Sequence, residues 1–214
     1  MLFKVNKNIL LKRTSISHIN SILEKNNQWK ILDIGCGYRA HKNATVIADI
    51  QDFTKLYPNK VFVQIKEEKL PFKDKEFDFV IASHVIEHVD DFEFFIKELE
   101  RISSKGYIEL PSRLEDNLVF ENLNDHVWWF IYDDVKNVLL VSKKNQLVSP
   151  FITVSTAKSL EKVFRESLVI ELEWQNKIDY IIDNKIKNED FKKITFFKIV
   201  KKFLSKKLRN IFRK

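Results

Sequence analysis

Residues 31–37 read ILDIGCG, and this stretch decides the predicted fold. An apolar run leads directly into Gly35 and Gly37, which are two of the three glycines in the chain. A glycine turn at the carboxyl end of a strand lets a ligand approach the backbone closely, and open α/β sheets bind their ligands at this end. The stretch therefore predicts a strand that ends in a ligand-binding loop.

Apolar runs on either side of this loop predict the rest of a sheet. The run FDFVIAS at 77–83 is almost continuously apolar, which is typical of a strand buried on both faces of a parallel sheet. Shorter runs predict further strands, with the last two closing the sheet. These strands are predicted at 30–34, 45–50, 61–65, 107–110, 137–142 and 168–174.

The spacing of apolar residues predicts helices at 18–25 and 91–104. The second helix would begin after Asp90 or Asp91 as its N-cap and end before Gly106 in a left-handed conformation. Strands that alternate with helices indicate an α/β sheet with right-handed crossovers.

Composition and charge exclude several classes of protein. A single cysteine rules out a disulfide framework, and neither a signal peptide nor a membrane-spanning run is recognisable. The net charge of +7 comes from residues 185–214, where twelve basic residues face two acids, while the body of the chain is mildly acidic. These observations predict a cytoplasmic protein and argue against nucleic acid as its partner. They indicate no metal site.

The charge around the glycine loop indicates what the loop binds. The pattern G-x-G-x-x-A also fits a dinucleotide fingerprint, so a nicotinamide or flavin enzyme is a competing interpretation. However, Asp33 and Asp49 flank the loop, and two carboxylates would repel a pyrophosphate. They suit a cationic ligand with ribose hydroxyls, such as S-adenosylmethionine. Residues 38–44 are also too few for the crossover helix of a dinucleotide site, so a shortened first crossover is predicted.

At this point the chain resembles the class I S-adenosylmethionine-dependent methyltransferases, particularly the methyltransferase type 11-like family. The matching segments follow the order and approximate spacing of that family. They are ILDIGCG (31–37), VIADI (46–50), EEKLPFKDKEFDFVIASHVIEHVDD (67–91) and GYIELPS (106–112). The resemblance implies a Rossmann-like, doubly wound, mostly parallel sheet with helices on both faces.

The resemblance also implies a site for S-adenosylmethionine. Asp33 and the loop 35–37 would line the amino-acid end of the cofactor, Asp49 would hold the ribose hydroxyls, and Ser83 and His84 would lie beneath the methyl group. Cys36 would contribute packing and backbone geometry rather than a nucleophile. The full predicted set is Asp33, Gly35, Cys36, Gly37, Asp49, Ile50, Glu67, Glu68, Ser83 and His84, of which Ile50, Glu67 and Glu68 would contact the adenine.

The chain departs from the family pattern in two places. Lys66 stands where the family often has an aspartate, so adenine recognition would depend on backbone groups or on Glu67. The shortened crossover also places Tyr38 and His41 near the cofactor, where the family has a helix.

Histidines near the predicted site are candidate catalytic residues, because an imidazole can deprotonate a methyl acceptor near neutral pH. The two candidates are His126, in the segment NDHVWWF, and His88, in the EH pair. A structural role is the alternative for both. Trp128 and Trp129 either belong to the core or offer a flat face to a substrate ring.

The sequence therefore predicts an S-adenosylmethionine-dependent methyltransferase domain at 1–184, with a cofactor half at about 30–112 and a substrate-facing half at about 113–184. The acceptor would be an oxygen or nitrogen of a small or lipid-linked molecule, in surface-glycan or quinone biosynthesis. The alternative is a non-catalytic module of the same fold that docks through its tail. No metal ligand is predicted, and the oligomeric state is not indicated.

The tail at 185–214 combines charge with a helical apolar stripe in FFKIVKKFLSKKLRNIFRK (196–214). One interpretation is an ordinary helix packed on the body. The other is an interfacial helix at 194–214 on anionic lipid, which would use both the stripe and the charge. The second interpretation predicts reversible association with the inner face of the membrane.

Overall fold

A computed structural model describes residues 10–183 and 193–211 of the chain, without the side chains of residues 210 and 211. The predicted domain boundary at 184 and 185, and the ends of the predicted tail at 185–192 and 212–214, lie outside the described residues. Within them, a large mixed sheet and a small sheet pack together with helices.

The strands follow the chain in this order: β1 Leu11–Arg13, β2 Ile31–Ile34, β3 Val46–Asp49, β4 Val61–Gln64, β5 Phe79–Ser83, β6 Lys105–Pro111, β7 Trp128–Asp133, β8 Val138–Lys143, β9 Val169–Gln175 and β10 Tyr180–Ile182. The helices are α1 Ile16–Lys25, α2 Phe92–Ile102, α3 Arg113–Leu118, α4 Asn122–Asp125, α5 Val154–Leu168 and α6 Phe196–Ile211. A 3₁₀ turn spans Ile86–His88.

The seven-stranded sheet has the order β1-β9-β6-β5-β2-β3-β4. Strands β2 to β6 are parallel to one another, and β9 runs antiparallel to both β6 and β1. The chain moves from β2 outward through β3 and β4 and then returns to place β5 on the other side of β2. The carboxyl ends of β2 and β5 therefore flank the point where the strand order reverses, which is where such sheets form a ligand crevice. The predicted α/β class and mostly parallel sheet are confirmed.

Alternating side chains of the central strands enter two different cores. Ile31, Ile47 and Phe79 pack with α1 through Ile19 and Leu23, all of them buried. The intervening residues enter a larger core shared with α2 and with the three-stranded sheet β10-β8-β7. One face of the large sheet is thus covered partly by a second sheet rather than by helices alone.

The connections from β2 to β3 and from β3 to β4 are short, as the sequence predicts for the first of them. Residues 35–45 between β2 and β3 form turns rather than a helix, and residues 50–60 between β3 and β4 do the same. Each connection has too few residues for a crossover helix and its two loops. The ligand loop is consequently held by turn hydrogen bonds and by its neighbours.

Two details of the predicted fold are wrong. Gly106 does not end α2 but lies inside β6; α2 ends at Ile102, and its C-cap Ser103 has an extended conformation. A Cβ atom at Gly106 would lie 2.5 Å from the Val80 carbonyl oxygen and 2.5 Å from Trp174 Nε1, so close packing requires this glycine. The strand predicted at 137–142 does not close the large sheet, because β8 pairs with β7 and β10 instead.

Candidate functional site

The glycine loop turns sharply at the end of β2. Gly35 and Gly37 have φ angles of 68° and 48°, in the left-handed region that side chains disfavour. A Cβ atom at Gly35 would also lie 2.2 Å from Val85 Cγ2. The Gly35 N–H donates to the Ala48 carbonyl at 2.7 Å, which ties the loop to β3. Both the backbone conformation and the packing therefore require glycine at the start of the loop.

The two predicted carboxylates shape this loop. Asp49, 9% exposed at the end of β3, accepts the Gly37 N–H at 2.9 Å and the Gln51 N–H at 3.0 Å. Asp33, 5% exposed in β2, accepts the His41 N–H at 2.7 Å. The two carboxylates thus order the backbone on both sides of the loop.

Asp33 is a buried carboxyl group whose ionisation is costly. Burial raises the pKa of Asp33 to about 7, and the nearby Asp49 carboxylate raises it further, against the lowering effects of the His41 N–H and of Lys60. A cation bound beside Asp33 would favour the ionised carboxylate. The loop is therefore suited to a positively charged ligand and unsuited to a pyrophosphate.

A cleft of about 840 Å³ opens at the carboxyl ends of β2, β3 and β5. This volume lies within the range of about 300–1,000 Å³ that is typical of small-molecule sites. Six of the predicted cofactor residues line it, namely Gly35, Asp49, Ile50, Glu67, Glu68 and His84. Ile50 is 70% exposed and presents an apolar side chain to the opening.

Four other predicted cofactor residues are not among those that line the cleft: Asp33, Cys36, Gly37 and Ser83. Asp33 and Gly37 shape the loop through the hydrogen bonds described above. Cys36 packs in the α1 core, and burial raises the pKa of its thiol to about 12, so it is no nucleophile at neutral pH. Ser83 is half-buried at the end of β5.

The turns that replace the crossover helix carry Tyr38 and His41. Tyr38 is 78% exposed and stacks edge-on against Phe53, and His41 Nε2 lies 2.8 Å from Asn20 Oδ1 on α1. Neither Tyr38 nor His41 lines the cleft. Lys66 does line it, beside Glu67, at the rim where the family often has an aspartate.

His84 occupies a strained position at the end of β5, with a φ angle of 54°. Its Nδ1 lies 3.3 Å from Glu87 Oε1 and its Nε2 lies 3.1 Å from Glu109 Oε1. Burial lowers the pKa of His84, but the hydrogen bonds to Glu109 and Glu87 outweigh this effect and raise the pKa to about 10. His84 is therefore charged at neutral pH and is not available as a base.

The two candidate catalytic histidines lie side by side. The rings of His88 and His126 meet edge to face with their centroids 4.6 Å apart. His88 and Asp125 line the same cleft as Gly35, whereas His126 is 9% exposed behind them. The structure thus brings together two residues that are far apart in the sequence, next to the glycine loop.

A buried ionic cluster, which the sequence does not indicate, supports His126. Asp116, 1% exposed on α3, makes short hydrogen bonds with His126 Nδ1 and Trp129 Nε1, and lies 3.0 Å from Lys144 Nζ. Burial opposes ionisation of Asp116, but His126 and Lys144 outweigh it and hold its pKa below the ordinary value. We call Asp116, His126, Trp129 and Lys144 the Asp116 cluster. No motif identifies Asp116 in advance, because α3 has no recognisable pattern.

Both tryptophans of the NDHVWWF segment belong to the interior. Trp128 and Trp129 are 8% and 2% exposed. Their indole N–H groups donate to the Val89 carbonyl and to Asp116, respectively. The core interpretation is therefore the correct one for both residues.

Comparisons with known proteins agree with this geometry. Residues 32–108 match the family model of the methyltransferase domain. An uncharacterized protein of Methanocaldococcus jannaschii is 32% identical over 122 residues, which cover 50% of this chain and 51% of that protein. The chain therefore spans about half the length of this curated relative.

Solved structures that match this chain include S-adenosylmethionine-dependent methyltransferases from Thermotoga maritima and Mesorhizobium loti. They are 13% and 12% identical, each match covers 73% of this chain, and the matches cover 89% and 96% of those chains. The TM-scores are 0.43 and 0.42.

Among the described helices of this chain, none is long and apolar enough to cross a bilayer.

Proposed function

We propose that the protein, whose residues 32–108 match the family model of the methyltransferase domain, transfers a methyl group from S-adenosylmethionine to an oxygen or nitrogen of a small or lipid-linked acceptor. The family match confirms the predicted resemblance and supports S-adenosylmethionine as the cofactor. The choice of acceptor is our proposal.

One observation carries the proposal: two buried carboxylates flank a glycine loop that opens into a cleft. Asp33 is destabilised as an anion by burial, and a sulfonium or ammonium group would relieve this cost. Two backbone N–H groups donate to the Asp49 carboxylate and fix its orientation. Asp49 also lines the cleft. A carboxylate of this kind can accept hydrogen bonds from ribose hydroxyls. The same arrangement disfavours a dinucleotide.

The transfer itself is an in-line displacement at the sulfonium methyl, in which the acceptor forms a bond to carbon as the carbon–sulfur bond breaks. Alignment and exclusion of water contribute most to such a reaction, up to about 7–11 kcal/mol in well-ordered cases. The acceptor would enter along the part of the cleft that His88 and Asp125 line. His88 and His126 are therefore the residues that we propose to act on the acceptor.

Transfer of a labelled methyl group tests the proposal. We expect label from S-adenosylmethionine to enter the lipid extract or the aqueous extract of cells that express the full chain. The Asp49→Ala variant should transfer at least about tenfold less label at limiting cofactor, because it loses hydrogen bonds to the ribose. Cofactor binding without transfer to either extract would instead favour the non-catalytic module.

We also propose that α6 docks on an anionic membrane surface. Five large apolar side chains of this helix are half-exposed or more, and all described side chains from 201 to 209 are exposed. These five are Phe196, Phe197, Phe203, Leu204 and Leu208. Lysines and Arg209 occupy the remaining surface of α6. An interfacial site would bury the apolar stripe and stabilise the basic residues by about 1 kcal/mol each. This location would bring a lipid-linked acceptor, such as a surface-glycan precursor, near the cleft.

Co-sedimentation with vesicles tests the membrane proposal. The full chain should sediment with anionic vesicles, less with neutral ones, and less again in 1 M salt, because salt screens the attraction. A Phe197→Ser/Phe203→Ser variant keeps every charge and should lose most of the binding. Binding that is unaffected by this double change would show that α6 does not insert its apolar stripe.

A further inference from the structure

Glu87, His88 and His126 converge on the wall of the cleft. One candidate ligand atom from each residue lies within 4.8 Å of the other two. Backbone contacts fix this arrangement, because the Val127 N–H donates to the Glu87 carbonyl at 2.7 Å. Trp128 Nε1–H donates to the Val89 carbonyl at 2.7 Å and holds the other end of the 3₁₀ turn. The turn that carries Glu87 and His88 is therefore tied to the segment that carries His126.

The two imidazoles have the same nitrogen available. His88 Nδ1 lies 3.0 Å from the Asp125 carbonyl oxygen, which can only accept, so Nδ1 carries the proton. His126 Nδ1 likewise lies within hydrogen-bond distance of the Asp116 carboxylate. Nε2 is then the ring nitrogen of each histidine that can bind a metal. Metal-bound histidines have this outer arrangement, in which the other ring nitrogen donates to a carboxylate or a backbone carbonyl.

The buried side chain of Glu87 is an independent indication of a cation site. The side chain is 0% exposed, and the charged His84 contacts only one of its two carboxylate oxygens. Oε1 has an ion-pair contact of 3.3 Å with His84 Nδ1, and Oε2 has no partner in the described part of the chain. A buried carboxylate oxygen without a partner is costly, and a cation bound beside Oε2 would supply the missing interaction.

We propose that Glu87, His88 and His126 bind a divalent transition-metal ion of the zinc class. Two imidazoles and one carboxylate are a ligand set that zinc uses with a fourth position left open. Ligand atoms around tetrahedral zinc are about 3.4 Å apart, given bonds of about 2.0–2.2 Å, so the three side chains need to move inward by about 1 Å. Magnesium and calcium prefer oxygen ligands and fit this set less well.

The fourth position would face the cleft that His88 lines together with Gly35 and Asp49. A hydroxyl-bearing acceptor could coordinate there, and the metal would lower the pKa of that hydroxyl. His88 and His126 would then act as metal ligands rather than as bases. This role in the reaction rests on the proposed methyl transfer, whereas the binding of the metal does not.

Zinc titration of the untagged full chain tests the site directly. After removal of metals with a chelator, calorimetry should show one tight Zn²⁺ per chain, and Co²⁺ should give the visible absorption of a tetrahedral site. His88→Ala removes an exposed ligand and should weaken Zn²⁺ binding by at least about 100-fold, since even outer partners of ligands contribute about 10- to 100-fold. His18→Ala, an equally exposed histidine on α1, should leave binding unchanged.

A second variant distinguishes the loss of a metal ligand from a loss of folding. Glu87→Gln keeps the size of the buried side chain and removes its charge, so it should also weaken Zn²⁺ binding, and circular dichroism should verify that the variant is folded. The proposal is overturned if the unaltered chain binds no Zn²⁺, or if His88→Ala and Glu87→Gln bind as tightly as it does. Tight Zn²⁺ binding by a chain that transfers no methyl group would leave the metal site standing and refute the proposed function instead.

Discussion

Replacing Asp116 with alanine is expected to lower the free energy of unfolding by about 3–5 kcal/mol, the usual cost of removing one member of a buried ion pair. The Lys144 side chain is 7% exposed and would lose its carboxylate partner. His126 Nδ1 and Trp129 Nε1 would lose their acceptor at the same time. Urea unfolding followed by circular dichroism measures the change.

Asp134→Ala is the matched control for this experiment. Asp134 also forms an ion pair, with Arg13 Nε at 2.5 Å, but its side chain is 58% exposed. Exposed pairs contribute about 0–1 kcal/mol, so this variant should unfold almost as the unaltered chain does. Equal small losses for Asp116→Ala and Asp134→Ala would contradict the buried Asp116 cluster.

Replacing Asp49 with alanine is expected to weaken the binding of S-adenosylmethionine by about 10- to 150-fold. The estimate corresponds to about 1.5–3 kcal/mol, the usual contribution of hydrogen bonds to a charged group. Two effects act together, because Asp49 lines the cleft and also accepts the Gly37 and Gln51 N–H groups. Calorimetric titration with the cofactor measures the loss.

Asp52→Ala is the control for the Asp49 experiment, since Asp52 is an exposed aspartate on the same connection and is not among the residues that line the cleft. The affinity of the Asp52→Ala variant for S-adenosylmethionine should stay within about twofold of that of the unaltered chain, a difference of about 0.4 kcal/mol. An Asp49→Ala variant that binds the cofactor normally would exclude Asp49 as the ribose ligand.

Local sequence patterns predicted the central strands and the ligand loop because each depends on neighbouring residues. The buried run at 77–83 and the run before Gly35 carry their own strand signal, and helix α2 begins after Asp91 as its predicted cap. The two glycines have the left-handed conformations that the turn requires. Asp33 and Asp49 flank the loop because the parallel register of β2 and β3 brings their ends together.

Features that depend on distant contacts could not be predicted in the same way. Gly106 follows a helix in the sequence, so a cap was the natural expectation, but the approach of Trp174 from β9 decides its role. The sequence of strand β8 is typical of a strand in the large sheet. Only its pairing with β7 and β10 shows that it belongs to the three-stranded sheet. Local propensity carries no information about either contact.

The proposed metal ligands illustrate the same limit. Glu87 and His88 are adjacent, but His126 lies far along the chain, and no motif spacing connects the three. Because no such spacing is present, the sequence analysis predicts no metal site. The hydrogen bond from Val127 to Glu87 brings His126 to the turn, and Asp116 fixes its ring. Neither partner is recognisable before the fold is known.

Calorimetric titration of the full chain with S-adenosylmethionine, and separately with NAD, is the most direct test of the central claim that the cleft binds the methyl donor. We predict saturable binding of one S-adenosylmethionine per chain and no heat with NAD, because the paired carboxylates favour a cation and repel a pyrophosphate. Tight binding of NAD with no binding of S-adenosylmethionine would contradict the account.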